Sequence, residues 1–232
     1  MLGIIGAMEE EVAALKKKMQ IEKIMQCASM EFCQGILGGK QVVVVRSGIG
    51  KVNAAVCAQI LVDRFQVDAM INTGIAGALS NEINIGDIVL SSDTMQHDMD
   101  ATGFGYRFGE IPRMETSAFE ADSQLIELAK VCCKRVNPEV GVHVGRVVSG
   151  DQFISNRSDK EWIVKYFGGY CTEMEGAAIA QVAYLNQIPF LIVRAISDKA
   201  DNSASMDYAE FEKQAIIHSV NLIVEMVKNL AS

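Results

Sequence analysis

The sequence predicts an α/β fold, with strands and helices alternating around a central mixed β-sheet in a single domain over residues 1–232. Short apolar runs recur with segments of helical periodicity between them. No composition break, linker, internal repeat or low-complexity stretch interrupts that alternation. Half of the 232 residues are hydrophobic and only 3 are proline, as expected of a chain that buries a large core.

Residues 2–7 form an unbroken apolar run, the pattern of a buried strand, and Val12, Leu15 and Met19 then share one face of a helix over residues 9–19. Strands over 30–37 and 41–46 flank Gly38-Gly39, a dipeptide suited to a tight hairpin turn. Ser47-Gly48-Ile49-Gly50-Lys51 leads into a helix over 52–65. It is either a tight turn or an anion cradle of backbone amides, and it lacks the length of a P-loop and the third glycine of a dinucleotide fingerprint. A strand over 69–72 ends in Thr73-Gly74-Ile75-Ala76-Gly77, and another follows over 88–91. The polar stretch 93–120 holds His97, Asp98, Asp100, Phe104, Tyr106 and Pro112; a loop that long is usually functional or buried at a subunit contact. A helix over 122–135, a strand over 142–149, helices over 158–167 and 175–186, a strand over 190–196 and a last helix over 208–230 complete the chain.

A formal net charge of −8 argues against nucleic acid as a partner, because phosphate binding calls for clustered Lys and Arg. The longest basic run, Lys16-Lys17-Lys18, reads as a solvated face at a helix end. Cys27, Cys33, Cys57, Cys132, Cys133 and Cys171 show no CxxC pairing, and His97, His143 and His218 are not spaced as ligands, so no metal and no cofactor is expected. The amino terminus lacks a basic region and runs into three glutamates, and no apolar stretch approaches the ~20 residues of a membrane span. A soluble cytoplasmic protein with reduced thiols is the expectation.

Three acidic clusters carry the chemistry. Glu9-Glu10-Glu11, Glu173-Met174-Glu175 and Arg194-Ala195-Ile196-Ser197-Asp198 each follow or end a strand-like run, and in open α/β sheets the carboxyl ends of strands meet along one ligand-binding crevice. The clusters at 9–11 and 173–175 have a second explanation, since acidic residues in a helix's first turn complement its dipole. Asp198 is harder to explain structurally. It follows a strongly apolar strand interrupted by Arg194, and a buried cation needs a carboxylate partner.

Taken together and in order, Gly3-Ile4-Ile5-Gly6-Ala7-Met8-Glu9-Glu10-Glu11, Ser47 to Ala55, Asn72-Thr73-Gly74, Val148-Ser149-Gly150-Asp151-Gln152-Phe153-Ile154, Glu173-Met174-Glu175 and Arg194 to Asp198 resemble the bacterial 5′-methylthioadenosine/S-adenosylhomocysteine nucleosidases over essentially the whole chain. The resemblance implies a nucleoside phosphorylase-like three-layer αβα sandwich, a homodimer, and hydrolysis of an adenine N-glycosidic bond. It makes Asp198 the acid at purine N7, aided by Ser197, and Glu11 the base that activates water. Glu175, with Glu173 nearby, would hold the ribose hydroxyls, and Arg194 would position water and neutralise carboxylates. By the same resemblance Phe153 and Ile154 receive the purine, and Met174 packs under the ribose. Met8, Ile49 and Tyr208 line the 5′-alkylthio pocket, with Phe104 and Pro112 of a neighbouring subunit closing it.

Two positions depart from the pattern. Ile75 stands where relatives often carry serine, and Tyr208 where they often carry phenylalanine. Phosphorolysis on the same fold is disfavoured because Glu11 would repel phosphate and Ile75 offers it no hydroxyl. Futalosine-type nucleosides, with a bulky carboxylated 5′ group, would keep the same acid and base but find no obvious basic residue in the pocket.

Overall fold

A computed structural model describes residues 1–230. The chain runs β1 (Leu2–Gly6), α1 (Glu9–Lys18), β2 (Gln20–Cys27), β3 (Met30–Leu37), β4 (Lys40–Arg46), α2 (Lys51–Phe65), β5 (Ala69–Ala78), β6 (Ile88–Gln96), β7 (Phe119–Glu120), α3 (Ser123–Val136), β8 (Val142–Ser149), α4 (Arg157–Phe167), β9 (Cys171–Glu173), α5 (Gly176–Leu185), β10 (Phe190–Asp198) and α6 (Ala204–Asn229).

The strands form one mixed sheet in the order β10-β6-β8-β9-β5-β1-β4-β3-β2, with β7 paired to β6. A further pairing of β10 with β5 closes the first five strands of that order into a ring. Strands β1, β4 and β5 are parallel neighbours and β10 runs parallel to β5, so their carboxyl ends emerge together. Being covered on both faces, these strands carry continuous apolar runs rather than an alternation; all five residues of β1 are buried. One core packs α2 and α5 residues such as Leu61 and Ile179 against Ile5, Val43 and Ile192. The other packs Val12, Leu15, Leu125, Leu222 and Ile223 from α1, α3 and α6 against Ile4, Val44 and Leu191. Helices therefore cover both faces of the sheet, giving three layers.

The hairpin falls where the glycine pair predicts it, with φ of 57° at Gly38 and 83° at Gly39. Other boundaries differ from the sequence reading. Strand β2 was not anticipated, because it is an edge strand whose residues are mostly exposed and polar, without the apolar alternation that marks a strand. Strand β5 continues six residues past the expected end at Asn72, through the glycine-rich segment read as a strand end or turn. Its pairing with β10 on one side and β1 or β9 on the other holds that segment extended despite poor strand propensity. The polar stretch begins as the end of β6, β9 is a three-residue strand too short to show a period, and α6 starts four residues before Tyr208. Among the described residues no helix is long and apolar enough to cross a membrane.

Candidate active site

A cavity of about 500 Å³ opens at the carboxyl ends of these strands. Met8, Glu11, Ile49, Ile75, Phe153, Glu173, Met174, Glu175, Ser197, Asp198 and Tyr208 all line it. Residues remote in sequence meet there because β1, β5 and β10 end on the same side and the antiparallel β9 lays Thr172 beside Gly77 at the end of β5, carrying Glu173 and Glu175 to the same place.

Glu11 stands in the first turn of α1 but is not spent on the helix dipole alone. Its Oε2 accepts the backbone N–H groups of Ala7 at 2.7 Å and Met8 at 2.9 Å, and Oε1 accepts that of Ile75 at 3.3 Å. Burial raises its pKa, while Arg194 and those three N–H donors oppose the rise.

Asp198 ends β10, with Oδ2 accepting the Ser197 hydroxyl at 2.8 Å and Oδ1 the Ala200 N–H at 2.8 Å. Burial raises its pKa too, against the pull of those two donors. An aspartate so placed holds its proton more readily than one in water, as an acid working near neutrality must.

Glu175 immediately precedes α5, and its Oε1 accepts the Gly50 N–H at 2.8 Å. Burial, and then the neighbouring Glu173 carboxylate, push its pKa up to about 8, with Arg194 and the Gly50 N–H acting the other way. Glu173 lines the cavity, but its carboxylate is already engaged. It accepts the Glu175 N–H at 3.1 Å and the Gly176 N–H at 2.8 Å, together with the Ser149 hydroxyl and Arg194. For Glu173, then, the helix-dipole explanation describes the contacts it makes: it caps α5.

Arg194 does not line the cavity. It is 1% exposed behind the carboxylates, with Nη2 donating to Asn72 and Glu173 and Nη1 to the Val193 carbonyl at 3.1 Å. Burial would lower its pKa, but Glu173, Glu175 and Glu11 outweigh that and hold the guanidinium charged.

The glycines of the 73–77 segment make room for these groups. Gly74 is in register with Arg194, and a Cβ on it would lie 2.6 Å from Glu11 Oε1; Gly77 is in register with Asp198, and its Cβ would lie 2.7 Å from Asp198 Oδ1. Their lack of side chains is thus a packing requirement of the site, not of a turn.

The aromatic wall is Phe153 against Tyr208, edge to face with ring centroids 6.0 Å apart, and the Tyr208 hydroxyl donates to Glu212 at 3.0 Å. The Ile154 side chain lies outside the cavity, buried with Leu79, Val148 and Ile163. Phe104 is 87% exposed and Pro112 half-buried, and neither lines this chain's cavity. Sequence reasoning missed Ala7, Ala76, Gly77, Thr172 and Ser205 among the lining residues. Ser205 was hidden by the late start assigned to α6. Asn72, which holds Arg194, carried one usable signal, a polar residue inside an apolar strand.

A mixed sheet layered between helices, with paired carboxylates and an aromatic platform at its strand ends, defines an acid/base enzyme of the nucleoside-cleaving class. The chain belongs to the 5′-methylthioadenosine/S-adenosylhomocysteine nucleosidase family within the phosphorylase superfamily, whose family model matches residues 1–228. It is 43% identical to the Staphylococcus aureus (strain JH9) nucleosidase of that name, over 99% of this chain and 100% of the relative. It also superposes on the Neisseria meningitidis nucleosidase crystallised with methylthio-immucillin-A, with a TM-score of 0.94, 40% identity and 99% of each chain covered. A futalosine hydrolase from Helicobacter pylori strain 26695 shares the fold with a TM-score of 0.93 at 30% identity, covering 99% of this chain and 97% of that one.

Proposed function

We propose that this protein hydrolyses the N-glycosidic bond of 5′-methylthioadenosine, S-adenosylhomocysteine and related 5′-deoxyadenosines, releasing adenine and the 5′-substituted ribose. The observation that carries this reading is the convergence of Glu11, Glu175 and Asp198 on one nucleoside-sized cavity beside Phe153. Breaking the bond between C1′ and N9 builds positive charge on the ribose and negative charge on the base. Asp198 donates its proton to adenine N7, so the base leaves neutral. Glu11 takes a proton from water as the water oxygen bonds to C1′. Glu175 holds the ribose hydroxyls and, when ionised, supports the oxocarbenium-like sugar. Arg194 keeps the carboxylates compatible from behind, and Ser197 orients Asp198.

Met8, Ile49 and Met174 offer a soft apolar slot to a thioether. No Lys, Arg or His side chain lines the cavity among the described residues, which favours the alkylthio substrates over a carboxylated futalosine-type tail. The enzyme works as a single catalytic domain and a homodimer, with the segment around Phe104 and Pro112 closing the neighbour's pocket. The six free cysteines support a cytoplasmic setting.

Adenine release from methylthioadenosine, adenosylhomocysteine and inosine, each with and without phosphate, tests the reading. Phosphate-independent release from the two thio-nucleosides is expected. Asp198→Asn is expected to lower kcat on the order of 10²–10⁴-fold, because it removes the general acid. No adenine from the wild type, or full activity in Asp198→Asn, would overturn it.

A further inference from the structure

Two charged side chains have no part in the chemistry above, Lys51 at the end of the glycine turn 47–51 and Asp98 just after β6. In the structure they meet. The Lys51 ammonium donates to Asp98 Oδ1 at 2.6 Å and to Gln96 Oε1 at 2.9 Å. The other Asp98 oxygen accepts the Asp151 N–H at 2.9 Å, and Asp151 Oδ1 accepts the Lys51 N–H at 2.8 Å. Three residues from three segments thus close a ring of hydrogen bonds.

Both side chains of the Lys51–Asp98 pair are only 18% exposed, so solvent screens the pair less than it would an ordinary surface salt bridge. Two corners of the ring, Lys51 and Asp151, adjoin the active site. Gly50, next to Lys51, gives its N–H to Glu175, and Phe153 lies two residues beyond Asp151. The turn is tethered on its near side by the Gly48 N–H to the Ala7 carbonyl at 3.1 Å, and on its far side by the ring. It is also pressed against the ring: Gly50 has φ of 95°, and a Cβ there would lie 3.1 Å from Asp151 Oδ1.

We infer that Asp98 is a positioning residue for this reaction, holding Lys51 and Asp151 so that the Gly50 N–H stays on Glu175 at a fixed distance from Phe153. This deepens the nucleosidase reading and rests on it. Asp98 accepts from two donors, a task asparagine cannot share, because its amide would turn an N–H group toward one of them. Four titratable groups bear on Glu175 or the ring from elsewhere: Glu173, Arg194 and Glu11 face Glu175, while His97, whose pKa burial lowers, lies near Asp98. Of the contacts that hold down the Glu175 pKa, the Gly50 N–H is the one the ring controls.

The test is steady-state hydrolysis of methylthioadenosine across pH by the full-length wild type, Asp98→Asn, Lys51→Met and Lys51→Arg. Asp98→Asn and Lys51→Met are each expected to raise KM roughly tenfold, the scale of one lost hydrogen bond to a charged group, with kcat changed less than about threefold. In both, the midpoint of the rising limb of kcat/KM moves to higher pH, as Glu175 keeps its proton longer. Lys51→Arg, which keeps the cation, recovers most of the KM. Both readouts are independent of how much enzyme is folded, and if Asp98→Asn yields no soluble protein, Lys51→Met carries the same test. A wild type that releases no adenine overturns the nucleosidase reading itself. With an active wild type, unchanged KM and unchanged pH midpoint in the variants overturn only the role assigned to the ring.

Discussion

Replacing Gly74 with alanine is expected to disable Glu11, the proposed base, while leaving the fold intact. The added Cβ would lie 2.6 Å from Glu11 Oε1 and 3.2 Å from Arg194 Nη1, whereas real Cβ contacts essentially never fall below 3.0 Å. One side must therefore give by at least about 0.4 Å, and the geometry decides which. Arg194 is fixed by Asn72, Glu173 and the Val193 carbonyl, and the strand at Gly74 is held by its pairing with β10. The Glu11 carboxylate has to retreat, stretching bonds to Ala7, Met8 and Ile75 that now stand at 2.7, 2.9 and 3.3 Å. Gly74 is not among the residues with positive φ, so alanine meets no backbone strain there. Reaching the 3.4 Å of an ordinary contact would move the carboxylate by about 0.8 Å, and a misplacement of about 1 Å in a site can cost about 10²-fold in rate. Initial rates of adenine release should show kcat down by about that factor, with KM little changed because Glu175 and Phe153 are untouched. A kcat within about threefold of wild type would refute the reasoning that space at Gly74 sets the position of Glu11.

Further expectations follow from the charges. Above pH 4.5 an unfolded Glu175 loses its proton while the folded one keeps it until about pH 8, so this residue makes stability fall as pH rises through that window. Glu175→Gln removes the effect: its melting temperature should exceed that of wild type at pH 9 and match it near pH 4, with activity lost throughout, and calorimetry at the two pH values checks the sign. Arg194→Met strands the buried Glu173 carboxylate and is expected to destabilise the fold by roughly 3–5 kcal/mol in urea titrations. Arg194→Lys should not restore it, since one ammonium cannot serve Asn72 and Glu173 and also the Val193 carbonyl, which the two guanidinium nitrogens Nη2 and Nη1 share between them. Wild-type stability in Arg194→Met would show that the guanidinium is dispensable.

Periodicity and local chemistry made most of the core legible. Buried parallel strands read as apolar runs, and residues 2–6 and 190–193 were unmistakable for that reason. Strands whose extended state comes from their partners were not legible. The second half of β5 looks like a turn because glycines interrupt it, and only its pairing with β10 shows that Gly74 and Gly77 leave room for Glu11 and Asp198. The converging carboxylates followed from the strand-end rule, but which of them cap helices did not. Glu173 and Glu175 are two residues apart and equally acidic, yet one is spent on α5 and Arg194 while the other faces the cavity with a single N–H partner. That division depends on the backbone turning at 174–175, which no spacing rule supplies. The ring through Lys51, Asp98 and Asp151 was invisible for a similar reason, since each of its bonds joins residues at least 47 apart.

The arrangement also explains how so many acids occupy one apolar hollow. Glu11, Glu173, Glu175 and Asp198 are each less than a tenth exposed around one cavity, and the Arg194 guanidinium stands behind them. Full ionisation of all four would be prohibitive in so little solvent, and the buried environment answers by raising the pKa of Glu11, Glu175 and Asp198. Their other contacts then set them apart. Glu11 collects three backbone N–H donors and lies near Arg194, which favours the carboxylate a base requires. Asp198 has only one N–H and one hydroxyl, and the charges that bear on it most, those of Asp207 and Asp201, are negative, which favours the protonated form an acid requires. The proposed base and acid are thus distinguished by what each carboxyl group is bonded to, and the Arg194 guanidinium sits on the side of the proposed base.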